Sequence, residues 1–195
     1  MDLAAYFKSE FAEHGEVARK TEAALASAFA GLVGACVTSI RGGGKLMLFG
    51  NGGSAADAQH LATELTVRYK ADRTPIAAIA LTTDSSALTA AGNDFGFERI
   101  FARQIEALGK PGDVAIAIST SGKSPNVIAG LKQAKVMKLV TAAFGGQGGG
   151  AMAGLADHVL AVPSATTARI QEMHITLGQM LCGAIEIELG LAKLA

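Results

Sequence analysis

The chain has 195 residues, with 17 basic and 17 acidic side chains balancing to zero, half of its residues apolar and only 5% aromatic. That length carries one domain with a proper core and is short for two. Balanced charge leaves no electrostatic footprint of a nucleic-acid binder, and so few rings mean a core of Ala, Leu, Ile and Val.

The segment from Asp2 to about Lys20 reads as helix, with Tyr6, Phe7 and Phe11 on one side. Beyond it Leu25, Phe29, Leu32, Val33, Cys36 and Ile40 recur at helical spacing until Arg41-Gly42-Gly43-Gly44 ends the run. This N-terminal arm is too polar for a core and too apolar to hang free, so residues 1–41 are expected in contacts with a partner subunit. Acids come early and no signal-peptide apolar block follows them. No uninterrupted apolar run is expected to be long enough for a bilayer. Cys36 and Cys182 show no metal-like spacing and read as reduced thiols. A soluble, cytoplasmic protein is the expectation.

Apolar strands then alternate with helices. The strands are Lys45–Phe49, Ile76–Leu81, Val114–Ile118, Lys138–Ala143 and Val159–Val162. Helices are expected over about Ala55–Tyr69, Ser85–Ala91, Phe97–Leu108, Pro125–Val136, Ala151–Leu155 and Thr167–Leu191. Such alternation means βαβ units, hence an α/β fold with a parallel sheet between helical layers. The strands are almost wholly apolar, as strands covered on both faces are. Gly145 to Gly150 is a tight turn rather than a linker, no repeat has a fixed period, and one domain spanning 1–195 is expected.

Ligands of open α/β sheets collect beyond the carboxyl ends of the strands, and two polar loops fall there. The first is Asn51-Gly52-Gly53-Ser54, where glycines let the backbone approach a ligand and a helix N-terminus favours an anion. It also fits a structural turn, or a relaxed dinucleotide fingerprint, Gly50-x-Gly52-x-x-Ala55. The acid that fingerprint needs is misplaced: Asp72 precedes the next strand and Asp84 comes too late. The second loop, Ser119-Thr120-Ser121-Gly122-Lys123-Ser124, offers hydroxyls at Ser119, Thr120, Ser121 and Ser124 that can encircle a phosphate. Ser124 and Pro125 stand where a helix cap and first helical residue belong, and Lys123 reads as solvated.

His60 and Glu64 lie four residues apart on one helical face. They could bind a metal or transfer a proton, and Glu64 with Arg68 could equally form a surface ion pair. Gln171, Glu172, His174 and Gln179 lie on the last helix beside Arg169, where buried polar groups need partners. Gln171 and Gln179 stand about 80° apart around the helix axis, so both reach one site only if it lies between them. His14 and His158 carry a structural reading.

From about Gly43 to Gly183 the chain resembles the phosphoheptose isomerase family, whose members carry the sugar isomerase (SIS) fold. The resemblance rests on Gly50-Asn51-Gly52-Gly53-Ser54-Ala55-Ala56-Asp57-Ala58-Gln59-His60, Gly92-Asn93-Asp94-Phe95-Gly96, Ser119-Thr120-Ser121-Gly122-Lys123-Ser124-Pro125-Asn126 and Arg169-Ile170-Gln171-Glu172-Met173-His174. It implies a Rossmann-like five-stranded parallel sheet with an N-terminal helical arm. It also implies interconversion of sedoheptulose 7-phosphate and D-glycero-D-manno-heptose 7-phosphate for bacterial lipopolysaccharide or capsule, in a homotetramer with active sites between subunits. Asn51, Gly52, Gly53, Ser54, Asn93, Asp94 and Gln171 would bind substrate; Ser119, Thr120, Ser121 and Ser124 would hold its phosphate. His60, Glu64 and Gln171 would be zinc ligands, and Glu64 the base of an enediol mechanism. The family's second catalytic and zinc-binding position, a histidine, falls on Gln179. An amide cannot titrate and is a poor zinc ligand beside imidazole. The alternative is a non-catalytic regulator of the same fold that binds the replication initiator DnaA; it lacks both the glutamate and the late histidine, whereas this chain keeps Glu64 and loses only the histidine. A nucleotide-dependent sugar-phosphate sensor is a third reading.

Overall fold

The computed structural model describes residues 1–70 and 72–193. A 39-residue helix α1 (Leu3–Arg41) opens the chain, its first turn capped by the Asp2 carboxylate, which accepts from the N–H groups of Ala4 and Ala5. Nothing between Lys20 and Leu25 breaks it, so the arm and the apolar stretch form one rod about 58 Å long at 1.5 Å per residue. Contrary to expectation, α1 is long and apolar enough by length and composition to cross a membrane, and it is the one such helix among the described residues. A third of its most apolar window is buried. The buried residues Leu25, Leu32, Val33, Cys36 and Val37 belong to the core, while Leu3, Tyr6, Phe7 and Phe11 are exposed.

Next come β1 (Leu46–Gly50), α2 (Gly53–Thr66), β2 (Ala78–Ala80), α3 (Ser85–Phe95), α4 (Ile100–Leu108), β3 (Val114–Ser119), α5 (Pro125–Val136), β4 (Val140–Gly145), β5 (His158–Ala161) and α6 (Thr167–Glu188). All strand pairs are parallel, in the order β2-β1-β3-β4-β5. Side chains alternate between two apolar layers. Leu46 and Leu48 face the layer of α1, α2 and α6, whereas Met47 and Phe49 face that of α4 and α5, where Phe49 meets Phe101.

Two expected elements differ. The strand at Ile76–Leu81 shrinks to three residues, because β2 is an edge that pairs with β1 alone. In place of the expected helix Ala151–Leu155 the chain makes 3₁₀ turns over Gln147–Gly154, entered through Gly148, Gly149 and Gly150, which all take positive φ. That backbone is incompatible with an α-helix.

The strand order places the topological switch point between β1 and β3. Gly50 pairs with Ile118 there, so the two polar loops leave the sheet side by side.

Candidate active site

The glycine loop turns on Gly52, whose φ is +56°. Gly53 is held open for a neighbour, because a Cβ there would stand 2.6 Å from Nε2 of Gln171. Ser54 is buried at the start of α2, and an open cleft of about 190 Å³ over Gly50, Asn51, Gly52 and Ala55 is lined on its other side by Phe97 and Phe101.

The hydroxyl loop follows β3. Ser119 Oγ lies 3.3 Å from Ser124 Oγ and accepts from the Gly122 N–H at 3.2 Å. Ser121 Oγ accepts from the Lys123 N–H, and the Lys123 side chain is exposed as expected. Ser124 occupies the cap position of α5 with Pro125 at the first turn, but its hydroxyl makes no capping bond and turns to Ser119 instead. The first turn of α5 is thereby left facing the same loop, an anion-favouring arrangement. Gly122 has φ +61°, and a Cβ there would run into the Gly149 carbonyl. The glycine-dense segment thus buttresses the loop, with Gly146 N–H donating to the Thr120 carbonyl and Ala151 N–H to that of Gly122.

Two side chains tie the loops together. Asn51 and Asn126 donate to each other's amide oxygen, at 2.9 and 2.8 Å. Asn126 is buried and was not among the expected site residues. Its signal was its place directly after Pro125, in the first turn of a helix facing the glycine loop.

On α2, His60 Nε2 meets Glu64 Oε1 at 2.9 Å; their side chains are 46% and 19% exposed. Glu64 therefore pairs with His60, and no ion pair to Arg68 forms among the described residues. Gln179 joins them from α6, its Nε2 3.3 Å from His60 Nε2. Close helix approach makes this contact, since a Cβ on Gly178 would overlap Leu61. Asp57 was also missed, although Asp57, His60 and Glu64 follow helical spacing. Its Oδ2 is buried without a partner. Burial raises its pKa above the ordinary carboxylate range, against the opposing pull of His60.

Gln171 packs at the other end of α2, beside Gly53, about 10 Å along the helix from His60 by the 1.5 Å rise. Asn93 and Asp94 bond to each other at 2.8 Å on the exposed end of α3. They make no hydrogen bond to either loop among the described residues. Asp84, the late acid of the dinucleotide fingerprint, caps α3 by accepting from the Ala87 N–H. His174 is fully buried and donates from Nε2 to the Gly145 carbonyl at 3.0 Å, at the carboxyl end of β4. Burial lowers its pKa to about 4. Glu172 pairs with Arg169 one turn back on α6 and with His14 of α1, and His158 packs beside Gly31.

The residues do not make a full zinc site. Among the described residues no group of three His, Cys, Asp or Glu side chains converges. Of the four expected ligands, His60 and Glu64 are the strong donors; Gln179 adds an amide beside them, and Gln171 sits at the far end of α2. Zinc sites draw on Cys, His and carboxylate ligands.

A glycine turn and a hydroxyl loop side by side at the β1/β3 switch point, with a shielded carboxylate about three turns along α2, are the parts that proton chemistry on a phosphorylated small molecule calls for. The SIS domain family model matches residues 11–146. The phosphoheptose isomerase of Paramagnetospirillum magneticum is 58% identical over 186 residues, covering 95% of this chain and 97% of the relative. That of Aquifex aeolicus is 54% identical over 179 residues, covering 92% and 94%. The solved phosphoheptose isomerase of Neisseria gonorrhoeae superposes with a TM-score of 0.90 at 41% identity, covering 95% and 99%. The chain belongs to the phosphoheptose isomerase family of SIS-domain proteins and is an isomerase. None of these relatives supports the alternative of a DnaA-binding regulator.

Proposed function

We propose that the enzyme interconverts sedoheptulose 7-phosphate and D-glycero-D-manno-heptose 7-phosphate through an enediol, feeding bacterial heptose into lipopolysaccharide or capsule. The observation that carries this reading is Glu64, mostly shielded and 2.9 Å from His60, on the helix that begins at the glycine loop. Ser119, Thr120, Ser121 and Ser124 grip the phosphate, aided by the first turn of α5. Asn51, Gly52, Gly53, Ser54 and Gln171 bind the sugar, with Asn93 and Asp94 closing on it.

Glu64 takes the proton from the carbon next to the carbonyl and returns it to the neighbouring carbon. Such acid–base help contributes about 10²–10⁴-fold. Phosphate gripping far from that bond orients the reacting carbons and lowers the barrier. Gln179 cannot carry a proton, but its amide can donate to the enediolate oxygen. His60 is the titratable group touching both Glu64 and Gln179. Of the four expected zinc ligands two, His60 and Glu64, are strong donors, so the proton chemistry rests on the side chains themselves.

The chain acts as one SIS domain over 1–195, in the cytoplasm, as a homotetramer with sites between subunits. Residues 1–41 make subunit contacts in this reading. Exposed Leu3, Tyr6, Phe7 and Phe11 support it, as does an apolar groove of about 410 Å³ between α1 and α6, lined by Leu25, Phe29 and Met180.

The test is Glu64→Gln, assayed for aldose product from sedoheptulose 7-phosphate and for binding by calorimetry. Turnover is expected to vanish while binding persists, since neither loop is altered. Retained turnover removes Glu64 from the role of base.

A further inference from the structure

The helix that carries His60 and Glu64 ends without a basic residue in its last turn. Its orphan carbonyls are met by a residue from outside the helix. Arg73, in the segment between α2 and β2, donates from Nη2 to the Glu64 carbonyl and from Nη1 to the Leu65 carbonyl, both at 2.7 Å. Nη1 also reaches the Thr74 carbonyl at 3.2 Å. Nε donates to Glu186 Oε1 at 2.7 Å, and the two side chains are only 2% and 1% exposed. Glu186 Oε1 accepts from the Tyr69 N–H as well, at 3.2 Å.

Glu186 lies two turns beyond Gln179 on α6. The guanidinium therefore joins the backbone of the proposed base to the helix that supplies Gln179. Two charges have been taken out of water to do this. A buried pair of this kind is a poor source of stability compared with apolar side chains of similar volume. What it supplies is geometry: a planar fork whose donors point in fixed directions, closing the carbonyl end of a helix that otherwise frays.

We propose that Arg73, locked by Glu186, is a positioning residue for the isomerisation. It sets the height and rotation of the Glu64 carboxylate against the sugar carbons, acting through the Glu64 main chain and touching no substrate. The inference rests on Glu64 being the base. Displacing a catalytic group by about 1 Å costs on the order of 10²-fold, and the glycine loop and the phosphate-gripping loop sit at the opposite end of α2.

The test compares Arg73→Lys with wild type and with Glu64→Gln. Lysine retains the charge facing Glu186 but not the fork to the Glu64 and Leu65 carbonyls. In the full-length protein, with circular dichroism confirming the fold at the assay temperature, kcat for sedoheptulose 7-phosphate is expected to fall about 10- to 100-fold, with KM within threefold of wild type. Hydrogen exchange should quicken at residues 64–69 and remain unchanged in β1 and β3. Should Arg73→Lys fail to fold, Glu186→Gln, which leaves the guanidinium on its carbonyls but loosens its anchor, is read in the same way. A folded variant with wild-type kcat, or one whose KM rises as much as its kcat falls, overturns the positioning role. It leaves the Glu64 reading standing if Glu64→Gln is inactive. An active Glu64→Gln instead removes the base, and this inference with it.

Discussion

Gly178→Ala isolates the contact that brings Gln179 to His60. The new methyl would stand 2.7 Å from Leu61 Cδ2 and 3.1 Å from Cγ, and closer still to Cδ1. Carbon atoms pack best at about 3.5–4.0 Å, so the helices must part by several tenths of an ångström or more. Leu61 cannot swing aside, because its whole isobutyl group faces the glycine and it is 1% exposed. Overpacking of this kind costs about 1–3 kcal/mol, and alanine's helix propensity over glycine returns about 1 kcal/mol. The net loss is about 1 kcal/mol, or roughly 2–4 °C in Tm at this chain length. In a Leu61→Ala background the obstacle is gone, and the same substitution should stabilise by about 1 kcal/mol. Urea melts of the four proteins give a coupling energy of about 2 kcal/mol, in the range for touching residues. Turnover should fall in the single variant, since His60 and Gln179 separate. The same sign in both backgrounds would refute the idea that Gly178 sets the spacing of α2 and α6.

Gln179→His places a third strong donor beside His60 and Glu64, so zinc should bind more tightly by calorimetry and turnover should rise; if neither changes, position 179 is not part of the site. His174 gives a pH signature. Its native pKa is lowered to about 4 by burial, so below about 6.5 the unfolded chain takes up a proton that the native imidazole refuses. Stability is complete above that pH and declines as pH falls towards 4, by at most about 3 kcal/mol at 1.36 kcal/mol per unit. In urea melts between pH 7 and 4, His174→Phe should lose that part of the slope, and an unchanged slope would show that His174 titrates normally.

The strands and both loops were legible because their information is local. Val114 to Ser119 and Leu46 to Gly50 are apolar runs ending in turn residues, and a parallel sheet covered on both faces accepts nothing else. Ser124 and Pro125 marked the start of α5 for the same reason. What stayed hidden depends on residues distant in sequence. The Asn51–Asn126 bridge spans 75 positions and the Gln179–His60 contact 119. Arg73 and Glu186, 113 positions apart, look like surface charges in a one-dimensional reading, and only the fold buries them together. The glycine segment turns as its composition indicates, with three consecutive positive φ values; the short helix expected after it, over Ala151–Leu155, gives way to 3₁₀ turns that end at Gly154.

The amide at position 179 changes what His60 has to do. Nε2 of that ring meets Glu64 at 2.9 Å and Gln179 at 3.3 Å. A ring nitrogen offers one proton or one lone pair, never both. With Nε2 bare, the ionised Glu64 would face a lone pair across the shorter of the two contacts. The proton therefore belongs on Nε2, donated to the carboxylate, and Gln179 is best satisfied with its oxygen turned inward. In the mechanism proposed above, Glu64 takes a proton from the sugar, that hydrogen bond weakens, and Gln179 can turn an N–H towards the growing negative charge. An amide can follow a proton in this way but cannot carry one. On that proposal, transfer between the two enediol oxygens falls to His60, whose side chain is 46% exposed and in reach of water. An imidazole in place of Gln179 would offer a second carrier, which is why the substitution is expected to speed the reaction while leaving the glycine and phosphate loops untouched.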